Sequence, residues 1–153
     1  MKILDSGNRR EFESGAVRDM QEGKGRCDLL PTEVVYTFLD GDALVDEVDA
    51  FLKDGKTEHL YDALVYFSDR AYEGDKYTMI LEVAKHFEEG AKKYGENNWQ
   101  KGLPAQCYMD SALRHYLKYL RGDNDEPHDR AVTWNLMCCI WEVDHHNSGR
   151  GGE

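Results

Sequence analysis

The chain has 153 residues, of which 41% are hydrophobic, and this is enough for one domain with a buried core. Its formal net charge of −11 disfavours non-specific binding to nucleic acid or to an anionic membrane, because both reward positive charge. No apolar run approaches the roughly 20 residues that span a bilayer, and the N-terminus lacks the plan of a signal peptide, so we expect a cytoplasmic protein.

The predicted elements are almost all helices joined by Gly- and Pro-containing turns. After an N-terminus expected to be flexible (1–14), the helical spacing of apolar residues predicts one domain over 15–146. Only "EVVYTFL" would also fit a strand, and the tail 147–153 is expected to be disordered. The predicted fold is therefore all-α, a compact bundle of about five helices, which fall within 32–54, 57–74, 75–95, 104–122 and 123–146.

The third predicted helix places two neighbouring glutamates on different faces. At 100° per residue, Glu89 falls opposite the apolar stripe and is expected to meet solvent. Glu88 falls at the edge of the stripe, where a carboxylate can lean into a crevice between helices. Glu88 is therefore the better candidate for chemistry, although a solvated helix flank would also explain it. The stripe consists of Ile80, Val83, Ala84, Phe87, Ala91 and Tyr94.

The loop behind this helix mixes cations, amides and aromatic rings in the stretch "AKKYGENNWQKG". A simple connection needs no such mixture, whereas a site for a charged, flat ligand would use it. The candidates for such contacts are Lys92, Tyr94, Asn97, Asn98 and Trp99.

The fifth predicted helix is apolar almost all round, which is typical of a buried helix. Polar residues nevertheless recur at intervals of seven, namely His128, Asn135 and Glu142. Buried polar groups must find partners. Two interpretations stay open: Asn135 bonds to a neighbouring helix backbone while His128 is an exposed first-turn residue, or the line marks a ligand site inside the bundle.

The start of that helix, "GDNDEPHD", concentrates four carboxylates around one histidine. Acidic residues favour helix N-termini, but four at this density repel one another, and a divalent cation would relieve that repulsion. Oxygen-rich clusters favour Mg²⁺, Mn²⁺ or Ca²⁺. Spacing alone does not distinguish a metal site from a solvated acidic turn. The residues are Asp123, Asp125, Glu126, His128 and Asp129.

Two further places could hold phosphate. On the fourth predicted helix, Arg114 and His115 lie off the apolar stripe, where Arg114 could bind phosphate or pair with a carboxylate. In "EGKGRCDLLP", Lys24 and Arg26 stand among glycines, whose backbone N–H groups can approach an anion. The P-loop pattern is absent.

Three blocks together carry a family resemblance. "GKGRCDLLP", "EEGAKKYGENNWQKG" and "SALRHYLKYLRGDNDEPHDRAVTWN" occur in this order. They resemble the small phage and bacterial proteins named after the dATP/dGTP diphosphohydrolase N-terminal domain. The resemblance covers roughly 15–36 and 78–144, and 40–76 resembles a helical insertion.

This resemblance implies hydrolysis of a purine deoxynucleoside triphosphate to a monophosphate and pyrophosphate. It also implies a MazG-like all-α fold in which clustered Glu and Asp side chains hold Mg²⁺ (or Mn²⁺). The chain departs from the pattern of those wider relatives, since it has one E-x-x-D, Glu126 to Asp129, and no E-x-x-E.

The resemblance also implies roles for individual residues. The metal would be held by Glu88, Asp125, Glu126, His128 and Asp129, with Glu88, Asp125 and Glu126 as the catalytic carboxylates. Phosphate oxygens would be neutralised by Lys24, Arg26, Lys92 and Arg114. The base would be bound by Tyr94, Asn97, Asn98 and Trp99. His115 and Asn135 would contact the ligand-binding residues and hold them in position.

Three functional hypotheses follow from these observations. The first is a Mg²⁺-dependent nucleotide pyrophosphohydrolase that works as a homo-dimer or larger homo-oligomer. The second is a nucleotide-binding protein without turnover, such as a sponge or sensor of a nucleotide signal. The third is an interaction protein whose acidic face meets a basic partner and which binds no small ligand tightly.

Overall fold

The computed structural model describes residues 3–147, and its fold confirms the prediction of a mostly helical protein. Within this range there are six α-helices, preceded by a short antiparallel β-hairpin in which Arg10 lies opposite Arg18. The strands are β1 (Arg9–Glu11) and β2 (Val17–Asp19). The helices are α1 (Thr32–Phe38), α2 (Ala43–Asp54), α3 (Glu58–Tyr72), α4 (Lys76–Tyr94), α5 (Ala105–Arg121) and α6 (His128–Glu142), with 3-10 turns at Cys27–Leu29 and Asn98–Lys101 and a π-turn at Val143–Asn147.

Local chemistry sets the helix boundaries. The Asp42 carboxylate accepts hydrogen bonds from the backbone N–H groups of Leu44 at 3.0 Å and Val45 at 3.1 Å, so α2 begins there. Asp40, with φ of 59°, and the glycine after it, with φ of 89°, adopt the left-handed region and separate α1 from α2. The region predicted as one helix over 32–54 is therefore two helices.

The core is centred on α5 and α6. Tyr108, Tyr116 and Leu136 are fully buried, and the Tyr116 hydroxyl donates to the Asp42 carboxylate at 2.6 Å, which ties α5 to the start of α2. As its apolar sequence predicts, α6 is enclosed on most sides by α3, α4 and α5. Its Glu142 is 0% exposed and accepts a hydrogen bond from the backbone N–H of Leu103 at 3.0 Å.

The β-hairpin docks against the C-terminal end of α4. The Asn98 side chain accepts from the Val17 N–H and donates to the Val17 carbonyl, each at 2.8 Å. The Tyr94 hydroxyl accepts from the Asp19 N–H at 3.0 Å. These bonds join residues about 80 positions apart, and they place β2 across the groove between α4 and α5. Part of the segment expected to be flexible, Arg9–Glu11, is thus a strand.

The predicted orientation of α4, which placed Glu89 in solvent, was wrong. The buried residues of α4 are Met79, Val83 and His86, so its inner face lies to one side of the predicted stripe, and Ile80 is 53% exposed. This rotation turns Glu89 inward, where its carboxylate pairs with Arg130 of α6 at 2.7 Å.

No helix within residues 3–147 combines the length and apolar character needed to cross a bilayer. All but the first residue of the tail predicted to be disordered lies outside the described residues.

Candidate active site

A cavity of about 480 Å³ lies between the β-hairpin, α4, α5 and α6. Its wall carries six Arg or Lys side chains against three carboxylates, although the whole chain has a net charge of −11. The concentration of positive charge in one concave place is what an anionic ligand requires. The cations are Arg10, Arg18, Lys24, Lys93, Arg114 and Lys118, and the carboxylates are Asp5, Asp19 and Glu126.

Five residues of the cavity wall carry a buried polar atom with no hydrogen-bond partner among the described residues. An unpaired buried polar group costs about 1–3 kcal/mol, so these five atoms require partners from water or from a polar ligand in the cavity. Two of the atoms are hydrogen-bond donors and two are acceptors, and the fifth is a histidine nitrogen that donates or accepts according to the tautomer. The atoms are Arg18 Nη1, Gln21 Oε1, His86 Nδ1, Trp134 Nε1 and Asn135 Oδ1.

Arg18 is positioned by β2 and its docking. Its Nη2 donates to Ser111 Oγ of α5 at 3.0 Å, and its guanidinium lies 5.7 Å from the ring centroids of both Tyr108 and Trp134. Burial lowers the pKa of Arg18. Arg18 was missed by the sequence analysis because it falls in a short, polar, Gly-flanked stretch.

α6 supplies Trp134 and Asn135 to the cavity wall, which is where the interior alternative for this helix predicts polar residues. The Asn135 amide nitrogen donates to the Ala131 carbonyl of its own helix at 2.8 Å, and its Oδ1 is left for the cavity. His128 is 2% exposed, so the expectation of an exposed first-turn residue is wrong. His86 packs 5.7 Å from Trp134, and burial, followed by the charge of Arg130, lowers its pKa to about 3, so the ring is neutral.

Two of the four phosphate candidates lie in the cavity wall and two do not. Lys24 and Arg114 line it; Lys24 pairs with Asp19 and Arg114 with Asp110, each at 3.0 Å. Arg26 pairs instead with Asp28 at 2.7 Å. Lys92 is exposed and lies 3.4 Å from Glu88.

The four base-binding candidates divide in the same way. Tyr94 and Asn98 line the cavity, but their polar atoms hold the hairpin. Trp99 packs against Phe87 and Trp141, with ring centroids 5.4 and 5.0 Å away. Asn97 and Trp99 border a separate cavity of about 180 Å³.

A histidine–carboxylate cluster forms one end of the main cavity. His115 Nδ1 lies 2.9 Å from His128 Nδ1 and 3.5 Å from Glu126 Oε1, and His128 Nδ1 lies 3.9 Å from the same oxygen. On its other side, His128 Nε2 lies 2.7 Å from Asp125 Oδ1. Burial, followed by the proximity of His128, lowers the pKa of His115 well below its usual value, so its imidazole is neutral.

The structure brings three of the five metal candidates together, Asp125, Glu126 and His128, and adds His115. Asp129 instead accepts a hydrogen bond from the Tyr72 hydroxyl at 2.9 Å. The Glu88 side chain is 68% exposed and faces Lys92. The donor set at the cavity is two imidazole nitrogens and one carboxylate, whereas Mg²⁺ is bound through oxygen. These residues therefore do not fit the all-oxygen Mg²⁺ site that the resemblance implied.

The chain is similar to a known protein family over its C-terminal half. The profile of the family described as dATP/dGTP diphosphohydrolase, N-terminal, matches residues 72–150. The matched segment contains α4, α5 and α6, and with them His86, Trp134, Asn135 and the histidine–carboxylate cluster. The β-hairpin and the "GKGRCDLLP" block lie outside it. No curated protein and no solved structure matches this chain.

Proposed function

The chain belongs to the dATP/dGTP diphosphohydrolase N-terminal domain family, since the match covers more than half of it, and from this premise we propose a nucleotide pyrophosphohydrolase. The protein would bind a purine deoxynucleoside triphosphate in the basic cavity and hydrolyse it to the monophosphate and pyrophosphate. The observation that carries the proposal is the convergence of six cations and five unpartnered polar atoms on one cavity. Its volume of about 480 Å³ suits a ligand of this size.

The cations would hold the triphosphate. Lys24, Lys93 and Lys118 place ammonium groups in the wall, and Arg114 adds a guanidinium beside Ser111. In a partly desolvated cavity such groups stabilise the negative charge that develops on the leaving pyrophosphate, and this is the main need of phosphoryl chemistry.

The inner wall would hold the base. Trp134 lines the cavity with an unpartnered indole N–H, while Asn135 and Gln21 each offer an acceptor oxygen. A purine presents both donors and acceptors at its edge, so these atoms can pair with it. In this proposal Trp134 takes the base-binding role that the resemblance implied for Trp99.

The direct test measures pyrophosphate and orthophosphate separately for a panel of nucleoside and deoxynucleoside triphosphates, with Mg²⁺, Mn²⁺ or EDTA. We expect pyrophosphate release that is fastest with a purine deoxynucleotide. Lys93→Ala should weaken nucleotide binding, whereas Lys92→Ala, its exposed neighbour outside the cavity wall, should not. Equal effects of the two substitutions, or release of orthophosphate alone, would contradict the proposal.

A second candidate is a nucleotide-binding protein without turnover. The exposed position of Glu88 favours it, because α4 then brings no metal-binding carboxylate to the cluster at the start of α6. Under this alternative the nucleotide stays bound through gel filtration and no pyrophosphate appears.

The proposal includes a homo-dimer in a reducing cytoplasm. Tyr77, Ile80 and Leu81 of α4 are 83%, 53% and 67% exposed, and such a stripe is suited to packing against a second copy. The four cysteines are free thiols, which supports a reducing compartment.

A further inference from the structure

Three nitrogen and oxygen atoms of the histidine–carboxylate cluster form a triangle. Its corners are His115 Nδ1, His128 Nδ1 and Glu126 Oε1, and its sides are 2.9, 3.5 and 3.9 Å. A triangle with these sides has a point about 2 Å from every corner, which is the length of Zn–N and Zn–O bonds. One ion would therefore reach all three atoms without a rearrangement of the backbone.

The surroundings orient these atoms as ligands. Asp125 lies at His128 Nε2, and if that nitrogen carries the proton, the Nδ1 lone pair points into the triangle. A carboxylate behind a ligating histidine is the usual way in which proteins fix its tautomer. In the absence of an ion, the 2.9 Å contact is then a hydrogen bond from His115 to His128. Binding an ion requires only that the His115 proton move to Nε2.

The other oxygen of Glu126 is also occupied. Its Oε2 accepts a hydrogen bond from the Leu4 N–H at 2.9 Å, which holds the carboxylate with Oε1 towards the histidines. The Glu126 side chain is only 11% exposed and that of His128 is 1% exposed. The cluster is therefore held in place on several sides, unlike a solvated acidic turn.

We propose that His115, Glu126 and His128 bind a first-row transition-metal ion that favours nitrogen ligands, such as Zn²⁺ or Co²⁺, in preference to Mg²⁺. Two imidazoles and one carboxylate form a set that such ions favour and that Mg²⁺ does not. His115 and Glu126 both line the cavity, so the remaining coordination positions face the space where an anion would lie. Such a site differs from the Mg²⁺ (or Mn²⁺) centre that the resemblance implies, and its occupancy does not depend on turnover.

The test is calorimetric titration of the EDTA-treated, nucleotide-free protein with Zn²⁺, Co²⁺, Mn²⁺ and Mg²⁺, together with the visible absorption spectrum of Co²⁺. We expect one Co²⁺ per chain, with a spectrum that reports nitrogen coordination, and an affinity for Zn²⁺ or Co²⁺ at least about tenfold above that for Mg²⁺. Mg²⁺ binding as tight as that of the transition ions, or no binding, would overturn the proposal.

Substitutions locate the ion. His115→Ala should weaken Co²⁺ binding on the order of 100-fold and change the spectrum, whereas Asp125→Asn should weaken it about 10–100-fold. The matched control is His59→Ala, because His59 also lies between two carboxylates, Asp54 at 2.9 Å and Glu47 at 3.5 Å, but outside the cavity wall. An equal loss in the control would contradict the assignment.

A competing arrangement uses the other side of His128. Asp123, Asp125 and His128 also lie within ligand distance of one another, although Asp123 pairs with Arg121. Asp123→Ala should leave Co²⁺ affinity unchanged if the proposed triangle is correct. Loss of binding in Asp123→Ala with retention in His115→Ala would overturn it. Since no nucleotide is present, absence of hydrolysis would count against the proposed function alone.

Discussion

At the scale of single residues, His86 links the cavity to the stability of the fold. Its ring is neutral because burial lowers its pKa to about 3, whereas an unfolded chain protonates histidine near pH 6.5. Below pH 6.5 the unfolded state therefore binds the extra proton, so stability falls as the pH drops from about 6.5 towards 3.

We predict that this histidine adds up to about 1.4 kcal/mol of destabilisation for each pH unit in that window. Urea unfolding of the wild type and of His86→Phe, at pH 7.5 and pH 5, would measure it, and the variant should show the smaller difference. His59 is a control of opposite sign, because its bond to Asp54 raises its pKa. A pH dependence unchanged in His86→Phe would contradict the prediction.

The neighbouring glutamates of α4 give a second residue-scale prediction. Glu89 pairs at 2.7 Å with Arg130, which is 6% exposed, whereas Glu88 faces solvent. Breaking a buried ion pair by removing one partner is destabilising, so Glu89→Ala should lower the free energy of unfolding by about 3 kcal/mol. Glu88→Ala should change it by less than about 0.5 kcal/mol. Chemical denaturation of both variants is the measurement, and equal effects would argue against the orientation of α4.

At the scale of elements, the β-hairpin depends on one side chain of the loop after α4. Asn98 satisfies both backbone groups of Val17, and the next residue, Arg18, reaches into the cavity. Asn98→Ala would leave partly buried backbone groups unpaired, a cost of about 1–3 kcal/mol.

We therefore predict that Asn98→Ala speeds hydrogen exchange at residues 16–19 and weakens nucleotide binding while helix content stays constant. Asn97→Gly is the adjacent control, because the Asn97 side chain is exposed and caps nothing, and glycine adopts the positive φ of 63° at this position without strain. Slow exchange of the hairpin in Asn98→Ala would contradict this account.

The helices could be predicted where residues close in sequence determine their ends and their buried faces. The stop at Gly122 lies directly after the helix it ends, and the polar interruptions His128 and Asn135 were visible on an apolar helix. The cap Asp42, which begins α2 within the region predicted as one helix, was not recognised. The hairpin was not predicted, because its two three-residue strands are held by contacts about 80 positions away. Arg18 was missed for the same reason. The rotation of α4 about its axis was not predictable either, because it depends on the packing of α4 against α6, where Glu89 pairs with Arg130.

At the scale of the whole molecule, the proposed homo-dimer can be tested through the exposed stripe of α4. Leu81→Glu should convert the dimer to a monomer, because it places a charge in the apolar contact, and its fold should persist since Leu81 is 67% exposed. Light scattering after gel filtration gives the mass. Glu82→Lys, a charge change next to the stripe, is the control. A wild-type monomer at all concentrations, or a dimer retained in Leu81→Glu, would contradict the proposal.

The basic cavity within an acidic protein has a consequence for how fast ligands arrive. An approaching triphosphate first meets a chain of net charge −11, and it is attracted only when it comes within about a Debye length (~8 Å at physiological ionic strength) of the recessed cations. Moderate salt screens the distant repulsion more than the short-range attraction, so it should accelerate capture before it weakens the complex. A long polyanion would keep most of its charge outside the mouth, so under the proposed function we expect the same repulsion to favour small, free nucleotides over nucleic-acid chains.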